Sequence, residues 1–134
     1  MTMTSETRNA PSKATIWIGW LLSALPSLLL LFSGSMKLVQ SGDIVKMFEH
    51  LGYPEHLALI LGIVEVGSTL VYLIPRTSVL GAILLTGYLG GAIATHVRLL
   101  EGQFLVPLVL GLLIWGGLFL RDPLVRAIVP VRRK

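Results

Sequence analysis

Four long apolar runs alternate with short polar segments along this chain of 134 residues. The runs cover residues 14–36, 57–74, 78–97 and 102–120, and each is close to the roughly 20 apolar residues that a helix needs to cross a bilayer. Lipid offers no partner to free backbone N–H and C=O groups, so the runs are predicted to form helices and not strands. The pattern therefore predicts an all-α, polytopic membrane protein.

The short links between the runs predict how these helices pack. The second and third runs are joined through "PRT" and the third and fourth through "RLLE", and links this short force neighbouring helices to run antiparallel. We therefore expect an antiparallel four-helix transmembrane bundle over residues 14–121, with helices at about 14–38, 55–75, 77–98 and 103–121. Residues 1–13 are predicted to be a disordered tail and residues 122–134 a basic cytoplasmic tail.

The longer link between the first two runs contains "DIVKMFEHLGYP". Its residues Ile44, Phe48 and Leu51 recur at positions i, i+4 and i+7, which is the spacing of one face of a helix. The segment is therefore predicted to be a short amphipathic helix lying on the outer membrane surface.

Composition and charge support a membrane location. The chain is 54% hydrophobic and 13% charged, with a mean hydropathy of +0.80, more apolar surface than a soluble domain of this size can bury. If the N-terminus is cytoplasmic, eight lysines and arginines lie inside and three outside, so both termini are predicted to be cytoplasmic. The basic residues lie at helix ends and in the tail, which argues against nucleic-acid binding. The chain has no cysteine, which excludes thiol relays and iron–sulfur ligation by cysteine.

Small residues recur four positions apart on two of the predicted helices. Gly19 and Ser23 begin such a series on the first helix, and Gly87, Gly91 and Thr95 form one on the third. Small residues let helices approach closely in lipid. We interpret both series as close packing within one bundle, with a homodimer through the glycine pair as the alternative.

Glu65 is the only charged residue in the apolar run 57–74. An ionised carboxylate facing lipid at that depth costs roughly 2.5–3.5 kcal/mol, so Glu65 is expected to face the bundle. Polar groups at a similar height all fall in the outer half of the membrane, which predicts a polar pocket that opens outward. Lys37, Tyr88 and His96 are the candidate partners of Glu65, and Lys37 is favoured; a structural Lys–Glu pair that only fixes helix register is the alternative. The candidate ligand-binding residues are Glu65, Lys37, His96, Tyr88, Ser33, Thr69 and Thr95.

Four segments together resemble the DoxX-like family of small four-helix membrane proteins: "LFSGSMKL", "LGYP", "LGIVEVGSTLVYLIP" and "GAILLTGYLGGAIATHV". The resemblance extends over roughly residues 16–123 and implies Gly34, Lys37, Glu65, Gly91 and His96 as family-typical positions. Members of this family have been linked to sulfur and quinone oxidoreduction at the membrane. Others, including a nicotinic-receptor assembly factor in animals, have been linked to chaperoning of partner membrane proteins.

Two hypotheses on function follow. In the first, the protein is a non-enzymatic binding or chaperone module that has no cofactor and takes a lipid, a small amphipathic molecule or a partner membrane protein. In the second, it is a subunit of a quinone-linked oxidoreductase in which Glu65, Tyr88 and His96 transfer protons. No catalytic residue and no metal site are assigned, because the histidines and glutamates offer no compelling ligand spacing within one helix. The family resemblance favours a bacterial inner membrane.

Overall fold

The computed structural model describes residues 12–54 and 56–131, and its regular elements over those ranges are all helical. Two turns of 3-10 helix, Pro75–Thr77 and Gly102–Phe104, precede the third and fourth long helices. The α-helices are α1 (Lys13–Leu38), α2 (Gly42–Leu51), α3 (Leu57–Leu73), α4 (Ser78–Arg98), α5 (Leu105–Arg121) and α6 (Pro123–Ile128). Of the predicted disordered tail, residues 1–11 lie outside the described residues, whereas Ser12 caps α1 and Lys13 begins it.

Within residues 12–54 and 56–131, three helical segments are by length and composition able to cross a membrane: Lys13–Leu38, Pro75–Arg98 and Gly102–Arg121. The helix α3 is as apolar but shorter, with 17 residues. The expectation of an all-helical membrane protein is therefore confirmed.

The four apolar helices pack in a ring, in which α1 and α4 each contact both α3 and α5. The helices α1 and α3 run in opposite directions. Lys37 near the end of α1 contacts Glu65, whereas Ser23 in its first half contacts Tyr72, which lies further along α3. The core of the ring is apolar and includes Leu30, Tyr72, Leu85 and Leu118.

Small residues bring α1 and α5 close together at one end of the ring. A Cβ atom added to Gly117 would lie 2.5 Å from Ser23 Oγ, and one added to Gly19 would lie 2.9 Å from Gly117 O. The packing interpretation is confirmed for this pair of helices. It is wrong for Gly87 and Gly91, because a Cβ at either position would meet nothing within 4 Å. Periodicity places small residues on one face of a helix but does not show whether another helix covers that face.

The predicted amphipathic helix between the first two apolar runs is confirmed as α2. Ser41 caps its N-terminus through a hydrogen bond to the Ile44 amide, and Gly52 ends it with a φ of 78°. Ile44, Phe48 and Leu51 are buried, and the first two pack against Ala58 at the start of α3. The amphipathic face of α2 therefore rests on the bundle.

The helix α6 lies in the segment predicted only as a basic tail. Asp122 caps it and Pro123 begins it, a common start for a helix. Val125 is 1% exposed and joins the apolar core. Arg126 donates hydrogen bonds to two carbonyl groups at the end of α5, where no intrahelical donor remains. Residues 132–134 lie outside the described residues.

Candidate functional site

Glu65 is buried in the interior of the ring, with 1% of its surface exposed. The Lys37 ammonium lies 2.6 Å from Glu65 Oε2, and the Tyr88 hydroxyl donates to the same oxygen at 2.8 Å. Lys37 also donates to Ser33 Oγ at 2.8 Å. Two of the three partners predicted for Glu65 are thus confirmed by the geometry, Lys37 from α1 and Tyr88 from α4.

Two glycines, Gly34 and Gly62, let α1 and α3 approach each other closely beside this ion pair. A Cβ atom on Gly62 would lie 3.0 Å from both Gly34 O and Lys37 Cβ. Each glycine precedes a charged residue by three positions, Gly34 before Lys37 and Gly62 before Glu65. On a helix that spacing puts the glycine and the charge on one face, so the close contact also brings the two charges together. Gly62 was not singled out from the sequence.

A cavity of about 370 Å³ lies beside the ion pair, on the side of α2 and α4. Its wall is mostly apolar, with Lys37 and Tyr88 as its polar groups nearest to Glu65. The lining residues are Lys37, Met47, Phe48, Leu51, Tyr53, Leu61, Val64, Gly87, Tyr88, Gly91, Ala92, Thr95 and His96. Glu65 is not among them, so the carboxylate lies behind the lysine and the tyrosine and acts on the cavity through them.

The remaining candidate residues have different positions. Ser33 contacts Lys37 but does not line the cavity. The Thr69 hydroxyl donates to the Glu65 carbonyl within α3, and Thr95 at the cavity donates to the Gly91 carbonyl. His96 lines the cavity but bonds to Glu101, and no hydrogen bond joins it to Glu65 in the described part of the chain. A ligand-binding role for these seven residues stays a prediction.

Several lining residues were not predicted as part of a site. Met47, Phe48 and Leu51 come from α2, and the sequence indicated only that its apolar face is covered. Gly87 and Gly91 give the cavity room, because neither carries a side chain to fill it. Two glycines four positions apart can therefore indicate either a cavity or a close helix contact, and only the structure distinguishes the two.

The outer edge of the cavity carries a second polar cluster. Glu101, in the link between α4 and α5, bonds to His50 of α2 and to His96 of α4, the latter at 3.1 Å. These hydrogen bonds, first from His50 and then from His96, hold the pKa of Glu101 below its usual range. No three metal-ligating side chains converge on one point within residues 12–54 and 56–131.

The ion pair determines what the cavity offers to a ligand. Lys37 is neutralised by Glu65, and its ammonium also lies 5.8 Å from the centre of the Tyr88 ring. Burying charged groups costs free energy unless they are paired and hydrogen-bonded, as these two side chains are. The inner end of the cavity therefore presents hydrogen-bonding groups with little net charge, beside walls that favour an apolar body.

The DoxX-like family model matches residues 21–117, more than half of the chain. Neither a curated protein nor a solved structure matches the chain. The matched range includes Lys37, Glu65, Tyr88 and the lining residues of α2, so the whole cavity lies within it.

Proposed function

This chain belongs to the DoxX-like family, and from that premise we propose that it binds a small amphipathic molecule in the cavity beside Lys37 and catalyses no reaction itself. A binding module of this kind delivers or retains its ligand for a partner, as an accessory protein of the membrane does.

The membrane arrangement is part of the proposal. All four apolar helices cross the bilayer as an antiparallel bundle, in the inner membrane of a bacterium, with both termini in the cytoplasm. The 17 residues of α3 measure about 25 Å at ~1.5 Å per residue, so this helix spans with help from the turns at its ends. The cavity then opens to the outer side of the membrane, because it is lined by the end of α1 and by α2, and both lie on that side in this arrangement.

The observation that most strongly supports a ligand is a mostly apolar cavity with the polar groups of Lys37 and Tyr88 at its inner end. Its volume of about 370 Å³ lies in the range of small-molecule pockets, roughly 300–1,000 Å³. Such pockets are lined mainly by apolar side chains, with a few polar groups that orient the ligand. A molecule with an apolar body and a polar head that hydrogen-bonds to Lys37 or Tyr88 fits both features.

The alternative is a quinone-linked oxidoreductase subunit in which Glu65, Tyr88 and His96 transfer protons. Glu65 and Tyr88 are hydrogen-bonded, but His96 bonds to Glu101 at the outer edge. The three groups do not form a continuous hydrogen-bonded path among the described residues. We therefore prefer binding without catalysis, and the experiment below also tests the alternative.

Two neighbouring glycines of α4 provide a matched pair of variants. Gly91 lines the cavity and Gly90 does not, and a Cβ atom added at either position meets no atom within 4 Å. Gly91→Leu should fill part of the cavity, and Gly90→Leu should add the same side chain outside it. Each protein is purified in mild detergent, and its organic extract is examined by mass spectrometry.

We expect an amphipathic compound, in a fixed ratio to the protein, with the unsubstituted chain and with Gly90→Leu, and its loss with Gly91→Leu. If all three extracts are the same, the cavity does not bind the compound and the proposal fails. A quinone that disappears only with Gly91→Leu would replace the proposal by the oxidoreductase alternative.

A further inference from the structure

The surface helix α2 forms one wall of the cavity and contacts the rest of the molecule unevenly. Its apolar face packs on the start of α3 through Ile44 and Phe48. On the side of α4, the cavity separates the two helices, and the contacts at its outer edge are polar. Arg98 Nη2 donates to the Leu51 carbonyl at 2.8 Å, and His50 bonds to Glu101.

Both ends of α2 carry a residue with a left-handed backbone. Gln40 precedes the helix with a φ of 51°, and Gly52 follows it with a φ of 78°. Hinges are typically a few residues at the ends of an element, where a change in φ and ψ can be absorbed. Gln40 and Gly52 are therefore suited to act as hinges on either side of the ten residues of α2.

We propose that α2 is a lid on the cavity and that His50, Glu101 and His96 form a pH-sensitive latch, which holds the lid closed in mild acid and releases it at higher pH, where histidine is ordinarily neutral. This inference rests on the proposed function, because the lid controls entry of the same ligand.

The direction of the pH effect follows from the charges of the latch. Imidazole side chains ordinarily gain a proton below about pH 6.5, and a hydrogen bond from a charged imidazole to a carboxylate is roughly twice as strong as a neutral one. Because its hydrogen bonds lower the pKa of Glu101, this carboxylate stays ionised in mild acid. The latch is strongest while the histidines are charged and Glu101 is ionised. It weakens at higher pH, when the histidines lose their protons, and also in strong acid, when Glu101 gains one.

Solvent reaches the titrating groups. The His50 side chain is 65% exposed and that of Glu101 23%. The other titratable or charged side chains on the described elements around the latch are Asp43, Lys46 and Glu49 on α2, Tyr53 after it, His56 before α3, Arg98 on α4, and Lys37 and Tyr88 in the cavity. The turn Gly102–Phe104 adds none. Among these, only His56 is of a type that ordinarily titrates near neutral pH.

The lid can be followed by a distance measurement without any ligand. Since the chain has no cysteine, Lys46→Cys on α2 and Gln103→Cys after Glu101 give two unique sites for spin labels. Both positions are exposed and neither makes a contact of the latch. Pulsed electron paramagnetic resonance of the full chain in lipid nanodiscs then gives the distance distribution at pH 5.5 and pH 8.

We expect one narrow, short distance at pH 5.5 and a second, longer population at pH 8. The ratio of open to closed lid should rise about two- to fivefold, as expected for the loss of an exposed charge pair. His50→Gln keeps a hydrogen-bond donor but removes the titrating group, and should abolish the pH response. His56→Gln is the matched control: the same substitution at an exposed histidine outside the latch should leave the response intact. Glu101→Gln should also abolish the response.

Equal distributions at both pH values, or a full response in His50→Gln, would overturn the latch. The measurement contains no ligand, so this failure leaves ligand binding beside Lys37 untouched. Loss of the proposed function would instead appear in the comparison of Gly91→Leu with Gly90→Leu.

Discussion

Lys37 and Glu65 each depend on the other, because both residues are almost completely buried, at 7% and 1% exposure. Removing one member of a buried ion pair leaves the other charge without compensation, whereas replacing both is often tolerated. The pair alone does not reveal whether its charges stabilise the helices or serve a ligand. The two roles separate when stability and ligand retention are measured on the same variants.

Glu65→Gln should destabilise the protein by about 3 kcal/mol, since Lys37 then lacks a negative partner. The double variant Lys37→Met/Glu65→Gln should recover most of that loss, because no buried charge remains and the amide oxygen can still accept from Tyr88. The free energy of unfolding is measured by denaturant titration in detergent micelles. If the ion pair also orients a ligand, the double variant should recover stability without recovering the ligand. Recovery of both would leave the pair with a structural role only.

At the scale of helices, close contacts and open faces are both made by small residues. Gly117 of α5 lies against Ser23 of α1, where an added Cβ would approach within 2.5 Å of Oγ. Its neighbour Gly116 has nothing within 4 Å of the same added atom. The two glycines differ only in which side of α5 they occupy, so they separate the cost of crowding from the intrinsic effect of replacing glycine in a helix.

Gly117→Ala should destabilise the protein by about 1–3 kcal/mol, as overpacking of a close contact does, and should lower its melting temperature. Gly116→Ala should be neutral or stabilising by up to about 1 kcal/mol, because alanine favours a helix over glycine. Thermal unfolding in one detergent, followed by circular dichroism, compares the two variants. Equal melting temperatures would mean that α1 and α5 are less tightly packed than the structure shows.

At the scale of the whole molecule, the ring of helices has two different ends. The end that contains Glu101 and α2 carries the cavity. At the opposite end, the Arg121 guanidinium lies 4.1 Å from the centre of the Trp20 ring and donates to the Tyr72 carbonyl. Tryptophan is enriched at both membrane interfaces and arginine on the cytoplasmic side, which is where the proposed orientation puts this end.

A single cysteine at Ser5 should resist a membrane-impermeant thiol reagent in intact cells, and one at Leu100, which is 94% exposed, should react. The reason is the excess of basic residues at the ends assigned to the cytoplasm. Labelling is read by a mass shift on gels, and permeabilised cells show that the Ser5→Cys site is reactive. The reverse labelling pattern would place the cavity on the cytoplasmic side.

Much of the site could be inferred from single residues and their spacing. A carboxylate in an apolar run must find partners, and Lys37 and Tyr88 lay at the right height on helices whose direction follows from the short links. His96 was predicted beside Glu65 on the same argument, but its ring bonds to Glu101 at the outer edge. Height along a helix is set by sequence position, whereas the direction in which a side chain points depends on the rotation of that helix against its neighbours.

The sequence by itself determined the four apolar helices and α2, their membrane character, the apolar face of α2 and the need of Glu65 for a buried partner. These features follow from local periodicity and from the cost of exposing polar groups to lipid, which act at each residue separately. Only the tertiary structure decided that Gly117 makes a contact while Gly91 borders a cavity, and that Lys37 and Tyr88 stand between Glu65 and that cavity. Those features depend on which faces of four helices meet, and this is fixed by the packing of all of them together.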